Sequence, residues 1–217
     1  MLLKYGDIMK KQERMLKIIS ALETEYPNAK CSLNAENAFQ LLVATRLSAQ
    51  CTDARVNIIT PALFKAFPTP SDFANAEISQ IEEYIKSCGL YHTKSKDLVN
   101  LGKALCENFN GNVPDNIEDL LTLPGIGRKT ANLILGDVYK KPGAVVTDTH
   151  FIRLCNRMGF VNFKEPKKVE FEMRKILPPE KSSDFCHRTV LHGRATCTAR
   201  SPKCDDCCIK EYCKKNI

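Results

Sequence analysis

Five cysteines stand close together near the carboxyl end of this 217-residue chain. Four of them follow the spacing Cys197-x6-Cys204-x2-Cys207-x5-Cys213, and the fifth, Cys208, is adjacent to Cys207. Four thiolates in one compact loop match, by number, the ligands of a structural metal site or of an iron–sulfur cluster. Zinc sites more often pair two Cys-x-x-Cys units, and this segment contains only one, so zinc is the less typical alternative.

The other six cysteines are scattered, and most lie within or beside apolar runs. The amino terminus contains no long apolar segment followed by a small-residue cleavage site, so we expect a cytoplasmic protein, on the nucleoid if it is bacterial. A disulfide framework is not expected in that reducing compartment. We therefore predict free thiols, mostly buried as small apolar side chains. They are Cys31, Cys51, Cys88, Cys106, Cys155 and Cys186.

A glycine-rich turn, LPGIG, separates two stretches of helical pattern at about residues 117–139. Leu123 and Ile126 are apolar and are expected to anchor the turn. Gly125 and Gly127 permit tight backbone geometry and close approach by another group. Amides at the start of the next helix can bind a phosphate oxygen, and such contacts position a protein on DNA without reading bases. An ordinary helix–turn–helix connection would have the same glycine content.

The longer string LPGIGRKTANLIL closely resembles the helix-hairpin-helix of the endonuclease III superfamily of DNA glycosylases. LLVATRLSAQCTDARVN resembles that family's segment ahead of the hairpin, VTDTHFIRLCNRMGF resembles its segment behind it, and the terminal cysteines resemble its cluster loop. The resemblance runs from about residue 16 to residue 213. It implies an all-α fold, in which 31–142 forms a six-helix domain containing the hairpin. Residues 1–30 and 143–217 would then form an iron–sulfur cluster domain, with the cluster loop at 197–213.

The resemblance also implies a base-excision repair enzyme that works as a monomer on double-stranded DNA. It would remove damaged bases, with oxidised pyrimidines such as thymine glycol as the family expectation, and cut the strand 3′ to the abasic site. In the family a lysine just after the hairpin is the nucleophile, and Lys129 occupies that place. An aspartate in the VTDTH-like segment is the second catalytic residue, here Asp148. The cofactor implied is a structural [4Fe–4S] cluster on Cys197, Cys204, Cys207 and Cys213, with Cys208 as a spare thiol.

This chemistry needs both residue types. Positive charge develops on the sugar as the base leaves, and a carboxylate such as Asp148 stabilises it. An amine attached to C1′ gives a Schiff base, which acidifies the C2′ proton and permits β-elimination. Lysine is almost fully protonated near neutrality; the helix start and Arg128 favour a neutral amine at Lys129, whereas Asp148 opposes them. Taken alone, Lys129 is also typical of a solvated lysine on phosphate, and Asp148 of a helix N-cap.

Other assignments to the DNA interface rest on the same resemblance. The damaged nucleotide must leave the base stack. Gln50 and Leu90, on two loops, would then fill the space that it leaves in the duplex. Without the family, Leu90 would be interpreted as a core leucine and Gln50 as a surface polar residue. His150 would line the site. Arg200 and Lys203 would seat the cluster loop on phosphates, the alternative being that both are merely solvated charges.

Helices must position most of these residues. Apolar residues of FQLLVATRLSAQ recur at helical spacing, and PSDFANA contains a helix start at its serine and aspartate. In GRKTANLILGDVYK, one face carries Ala131, Ile134, Leu135 and Val138, which leaves Lys129 off the core. GAVVTDT is the best candidate for a strand, and it is short. The pattern therefore predicts an all-α fold.

Composition is compatible with this function and narrows the alternatives. Hydrophobic residues make up 43% of the chain, and the net charge of +7 suits a polyanionic partner. No run approaches the roughly 18 apolar residues of a membrane span, so no membrane is expected as a partner.

Mismatch-specific glycosylases of the same superfamily are a second alternative. They generally lack the lysine, and the adenine enzyme has an extra C-terminal domain, so Lys129 and the end of this chain soon after Cys213 argue against them. A non-catalytic helix-hairpin-helix module would not explain Lys129 and Asp148 together.

Overall fold

The computed structural model describes residues 2–217, with side chains from residue 10 onward. Its regular elements are all helical, and no strand occurs among residues 2–217, which confirms the predicted all-α class. A 3-10 turn, Pro179–Lys181, precedes the last helix. The helices are α1 Leu2–Glu25, α2 Ala38–Ser48, α3 Asp53–Ala66, α4 Pro70–Asn75, α5 Ile78–Ile85, α6 Tyr91–Phe109, α7 Ile117–Leu120, α8 Arg128–Asp137, α9 Thr149–Arg157, α10 Pro166–Arg174 and α11 Ser182–Ala195.

The chain divides into two compact units. One is Cys31–Tyr139, which holds α2 to α8, with α7 as a single turn of four residues. The other joins Met1–Lys30 to Lys140–Ile217 and holds α1, α9, α10 and α11. Among the described residues, none of the helices has the length and apolar character needed to cross a membrane.

In the unit Cys31–Tyr139, apolar helix faces form the core, and α2 contributes the side chains that its spacing predicts. The start of α4 differs from the prediction. Its N-cap is Thr69, whose hydroxyl accepts from the Asp72 amide while the Asp72 carboxylate accepts from the Thr69 amide. The helix begins at Pro70, a residue suited to the first turn because it lacks an N–H. A helix start is therefore confirmed in this segment, and Asp72 belongs to its capping box, but the N-cap is Thr69, two residues before Ser71.

Helix α8 is buried more completely than its sequence pattern indicates. All six residues from Ala131 to Gly136 are buried, whereas Val138 is only half-buried. The predicted apolar face is confirmed at Ala131, Ile134 and Leu135, but burial extends beyond it to the rest of this stretch. The reason is that α8 packs against both α2 and α7, and Asn132 tolerates burial because its side-chain amide donates to the Arg128 carbonyl at 3.0 Å.

In the other unit, the segment proposed as a strand is extended but does not pair with another strand. Residues 144–147 are buried. The neighbouring amide of Gly143 donates to the Pro179 carbonyl at 2.8 Å, and the Val146 amide lies 3.3 Å from the Cys186 sulfur. Loop and side-chain partners thus replace a ladder, and this short extended segment leads directly into α9.

The six scattered cysteines are free thiols, as predicted. The expectation that most of the scattered ones are buried holds for only half of them. Buried positions are Cys88, Cys155 and Cys186, and half-buried positions are Cys31, Cys51 and Cys106.

Candidate active site and cluster centre

The hairpin turn between α7 and α8 is built on its two predicted apolar anchors, Leu123 and Ile126, which are both buried. Gly125 has a φ of +74°, in the left-handed region that favours glycine. A Cβ added at Gly125 would lie 3.2 Å from Nε of Arg46, so the turn also packs closely against that side chain. Nε of Arg46 donates to Oδ2 of Asp97 at 2.8 Å, which fixes the guanidinium. Gly125 therefore combines tight geometry with close approach.

Gly127 does not have the backbone geometry that its residue type suggests. Its φ is −100°, which other residues adopt, and an added Cβ would meet nothing within 4 Å. The expectation of tight geometry was therefore wrong for Gly127. This glycine is instead the N-cap of α8, and its lack of a side chain leaves open space in front of the first amides of the helix. That space is accessible to an anion at the positive end of the helix dipole.

Lys129 is the second residue of α8, after Arg128, and its side chain is exposed. The buried part of the helix begins only at Ala131. Lys129 therefore lies off the core, as the pattern predicts, and its amine is open to a ligand that approaches the start of α8.

Asp148 is the N-cap of α9, which confirms the capping role predicted from its sequence context. Its Oδ1 accepts a hydrogen bond from the Phe151 amide at 2.7 Å. The Phe151 ring is fully buried against Phe185 of α11, with ring centroids 6.1 Å apart. Because the cap is tied to this buried ring, the half-buried carboxylate is held in one position. Lys129 and Asp148 belong to different compact units.

His150 and Arg153 follow Asp148 on α9 and connect it to the cysteine segment. Nη2 of Arg153 lies 3.1 Å from Nδ1 of His150 and donates to the carbonyls of Cys197 and Gly193, at 2.9 Å each. Burial lowers the pKa of His150, while the nearby Asp148 acts in the opposite direction. Arg153 therefore holds His150 and the start of the cysteine segment in a single network. Sequence reasoning missed this arginine.

The four cysteines with the predicted ligand spacing border a common cavity, which contains about 430 Å³ of empty space including its opening to solvent. Cys208 does not line it, and its side chain is exposed. Among residues 10–217, no three His, Cys, Asp or Glu side chains form a group that could hold a single metal ion, so the four cysteines are compared with a cluster, in which each cysteine binds a different iron. The side chains around the cavity include Cys197, Cys204, Cys207, Cys213, Arg157, His192 and Ile209.

Hydrogen-bond donors surround these sulfurs. Nη1 of Arg157 donates to the Cys197 sulfur at 3.3 Å, and the Lys215 amide donates to the Cys213 sulfur at 3.4 Å. Nε2 of His192 lies 3.4 Å from the Cys207 sulfur, and burial lowers the pKa of His192 to about 4, so this ring is neutral near pH 7. Such donors stabilise thiolate ligands.

The donor set fits an iron–sulfur cluster. Burial first, and then the neighbouring cysteines, raise the pKa values of Cys207 and Cys213. Cys207 and Cys213 thus resist ionisation unless positive charge is placed beside them, and a cluster with cationic iron would supply that charge. The residues therefore suit the cofactor that the sequence predicts.

The loop between Cys197 and Cys204 carries Arg200 and Lys203, which are both exposed. The guanidinium of Arg157 donates to the Thr198 carbonyl at 2.7 Å and to the Ala199 carbonyl at 2.8 Å. The Lys203 amide donates to the Thr196 carbonyl at 3.0 Å and closes the other side of the loop. The loop is therefore held at its base by Arg157, a second arginine that sequence reasoning missed.

Gln50 and Leu90 share an unusual backbone conformation. Their φ angles are +54° and +60°, in the left-handed region that residues other than glycine rarely adopt. Leu90 is 58% exposed, which excludes the alternative of a core leucine, and Gln50 is also exposed. Strained exposed residues of this kind concentrate at functional sites. Their two loops are in contact, because a Cβ added at Gly89 would lie 3.4 Å from the Gln50 carbonyl.

Comparison with known families agrees with this architecture. The HhH-GPD model, which describes a superfamily of base excision DNA repair proteins, matches residues 43–179. A model of the iron–sulfur binding domain of endonuclease III matches residues 197–213. The fold and these two matches define the class as the helix-hairpin-helix proteins of base excision DNA repair.

Individual relatives narrow the class further. Endonuclease III of Synechocystis sp. is 41% identical over 203 residues, which is 94% of this chain and 93% of that protein. Endonuclease III of Escherichia coli K12 is 38% identical over 206 residues, or 95% of this chain and 97% of that protein. A solved trapped endonuclease III–DNA covalent intermediate is similar with a TM-score of 0.86 and 36% identity, covering 94% of this chain and 96% of that one. The chain belongs to the endonuclease III family.

Family membership confirms several of the sequence predictions. The protein is an enzyme of base excision DNA repair, a DNA glycosylase and abasic-site lyase. Its cofactor is a [4Fe–4S] cluster.

Proposed function

We propose that this protein excises oxidised pyrimidines, such as thymine glycol, from double-stranded DNA and cuts the strand 3′ to the resulting abasic site. The nucleophile is the amine of Lys129, which attacks C1′ and forms a Schiff base with the opened sugar. Loss of the C2′ proton and β-elimination then break the strand. The observation that carries this proposal is the exposed Lys129 in the first turn of α8, two residues after the open N-cap Gly127.

Asp148 serves as the carboxylate partner of this reaction. Its negative charge stabilises the positive charge that develops on the sugar as the base departs, and it assists proton transfer during the attack. The N-cap hydrogen bond to Phe151 supports this role, because it occupies Oδ1 and holds the carboxylate in a fixed orientation. Capping and catalysis are thus compatible at one residue.

The DNA backbone binds to the hairpin and to the loop that precedes Cys204. Gly125 and Gly127 shape the hairpin so that amides at the start of α8 meet phosphate oxygens, and Arg128 adds positive charge there. Arg200 and Lys203 contact further phosphates. Support comes from the open space at Gly127 and from the exposure of both cationic side chains of the loop.

Gln50 and Leu90 fill the space that the extruded nucleotide leaves in the duplex. Their exposure and left-handed backbone support this assignment, because a side chain held outward in a strained conformation is already presented to a partner. His150 lines the reaction site beside Asp148, in whose field its side chain lies.

The cluster is held by Cys197, Cys204, Cys207 and Cys213, and its role is structural. The proposed reaction transfers no electron, so the cluster serves to tie the segment 197–213 into a fixed loop. Support for this ligand set comes from the cavity that these four residues, and not Cys208, border.

We further propose that 31–142 is the six-helix domain and that 1–30 with 143–217 is the cluster domain. The two compact units support this division, except that residues 140–142 group with the cluster domain. The protein is proposed to act as a monomer in the cytoplasm, on the nucleoid if it is bacterial.

Asp148→Asn tests the proposed function. We expect excision of thymine glycol from a duplex to slow by about a hundred-fold or more, the usual cost of removing one electrostatic stabiliser of a transition state. Stability is expected to change little, because Asn also caps helices well and keeps the oxygen that accepts from Phe151. The measurements are single-turnover excision with analysis of the strand ends and a denaturant-unfolding curve.

Asp148→Ala is the matched control, since it removes both the charge and the cap. It is expected to lose about 1 kcal/mol of stability in addition to activity. Near-normal excision by Asp148→Asn would remove this carboxylate from the mechanism. A wild-type protein that leaves thymine glycol and abasic duplexes intact would favour a mismatch-specific glycosylase or a non-catalytic DNA-binding module.

Binding to an abasic-analogue duplex is expected to weaken steeply as salt rises, because phosphate contacts release counterions. Replacing Arg200 and Lys203 together with alanine should reduce the slope of log K against log salt by about two, since each phosphate contact contributes about one. Lys65→Ala, at an exposed lysine of α3, is the control and should leave the slope unchanged. A flat salt response of the wild-type protein would contradict the proposed interface.

A further inference from the structure

Two thiols that the proposed chemistry does not use lie in contact in the unit Cys31–Tyr139. The sulfurs of Cys51 and Cys88 are 3.6 Å apart, although the residues are 37 positions apart in the chain. Both are free thiols, Cys88 buried and Cys51 half-buried. A pair of thiols in such contact needs only a small displacement to form a bond.

The pair joins the two loops that carry the strained, exposed residues. Cys51 directly follows Gln50, and Cys88 lies two positions before Leu90. Gly89, between them, approaches the Gln50 carbonyl so closely that an added Cβ would lie 3.4 Å from it. A bond between the sulfurs would therefore act on both loops at the point where they touch.

Charged groups near the pair act on the Cys88 thiol. Burial, followed by the hydrogen bond with Cys51, raises the pKa of Cys88 to about 11. Lys94 and Arg55 oppose this increase, and Lys94 is itself buried with its Nζ donating to the Leu47 carbonyl at 2.8 Å. Cys88 thus stays protonated at neutral pH. The buried Lys94 nearby favours the Cys88 thiolate, which is the form that attacks once a reactive sulfur is adjacent. The more accessible Cys51 is the thiol that an outside reagent meets first.

We propose that Cys51 and Cys88 form a reversible disulfide in exchange with a small-molecule disulfide, and that this bond lowers the affinity of the protein for damaged DNA. The effect on DNA rests on the proposed roles of Gln50 and Leu90; the disulfide itself does not. Disulfides in a reducing compartment are usually transient and redox-sensing, which is the behaviour expected of such a contact pair.

The exchange proceeds in two balanced steps. Cys51 gives its proton to water, and the resulting thiolate attacks one sulfur of the reagent, so that a new sulfur–sulfur bond forms, the reagent's own sulfur–sulfur bond breaks and half of the reagent leaves as a thiolate. Cys88 then gives its proton to water and attacks the Cys51 sulfur, which releases the other half as a second thiolate. Two protein thiols are oxidised to one disulfide, and the reagent is reduced to two thiols.

Closing the bond is expected to shift the loops. A disulfide requires its sulfurs to be about 2.0 Å apart, whereas the free thiols are separated by 3.6 Å. A displacement of about 1 Å at positioned functional groups can lower a catalytic rate by about a hundred-fold, and DNA contacts on the two loops should be affected in the same direction. We therefore expect the oxidised protein to bind an abasic-analogue duplex at least about ten-fold more weakly than the reduced protein, with full recovery after reduction.

The experiment treats the cluster-loaded protein with oxidised glutathione without air and then maps the cysteines by alkylation and peptide mass spectrometry. A peptide joining Cys51 to Cys88 is expected in the wild type, and equally in Cys106→Ala, a matched control that removes another half-buried thiol. Cys88→Ala should instead retain one glutathione on Cys51. Cys51→Ala should form no bridge, and its DNA binding should not respond to the reagent.

Absence of the bridge in a folded protein that keeps its visible cluster absorption would overturn the proposal. So would a bridge that leaves DNA binding unchanged, because the site would then control nothing. The reduced wild type separates this question from the proposed function. If the reduced protein does not cut an abasic duplex, the proposed function fails, whatever glutathione does to the two cysteines.

Discussion

Lys129→Gln is expected to abolish the covalent protein–DNA adduct that borohydride traps during reaction with an abasic duplex. The amide of glutamine cannot form a Schiff base, so there is no imine for borohydride to reduce. Strand cleavage by β-elimination should disappear as well, because the electron sink that acidifies the C2′ proton is lost. The adduct is measured as a slow-migrating band on a denaturing gel.

Folding and DNA binding should largely survive this substitution. Lys129 is exposed, and the buried part of α8 begins two residues later. The variant loses at most one cationic contact, so the salt dependence of binding should decrease by about one counterion. Lys103→Gln, at an exposed lysine of α6 in the same unit, is the control and should trap at the wild-type rate. Normal trapping by Lys129→Gln would show that another amine is the nucleophile.

Some features that depend on neighbours within one helical turn could be predicted from the sequence. The N-cap at Asp148 is an example, because its partner amide belongs to Phe151, three residues along the chain. The left-handed turn at Gly125 is another, since the requirement for glycine there is local to the backbone. In both cases the interacting groups are only a few residues apart, so a short sequence pattern contains them both.

Features that depend on distant partners could not be predicted in the same way. Arg46 meets Asp97 at a separation of 51 residues, and Arg153 meets the Cys197 carbonyl at a separation of 44. No periodicity records which carbonyl or carboxylate a given arginine will reach. Contact between Cys51 and Cys88 was missed for the same reason, because it arises from how two loops pack.

The burial of α8 shows a third limit. Hydropathy assigns a polar residue such as Asn132 to the solvent side, yet this side chain is completely buried. Its amide donates to a carbonyl of its own helix, which lowers the cost of removing it from water. A helix that packs on more than one side can therefore carry a polar residue inside, and a single apolar face underestimates its burial.

Among five single cysteine variants, four should lose their iron and one should keep it. Protein purified without air is expected to be brown and to hold about four irons, the content of one cubane cluster. Replacing any one of Cys197, Cys204, Cys207 or Cys213 with serine should remove most of the iron, because each is one of four ligands. Cys208→Ser should keep it, since Cys208 is exposed and does not line the cavity that the other four border.

Comparison of Cys207→Ser with Cys208→Ser is the sharpest part of this experiment. The two residues are adjacent, so the variants share the same local sequence and the same change in composition. Only Cys207 has its sulfur beside His192 at the cavity, which places it among the proposed ligands. Circular dichroism should show helical content in both variants, so that a loss of iron is not simply a failure to fold. If Cys208→Ser loses its iron and Cys207→Ser keeps it, Cys208 is the ligand. If metal analysis finds zinc in place of iron, the cluster assignment is wrong, because the spacing and the cavity would then serve a different metal.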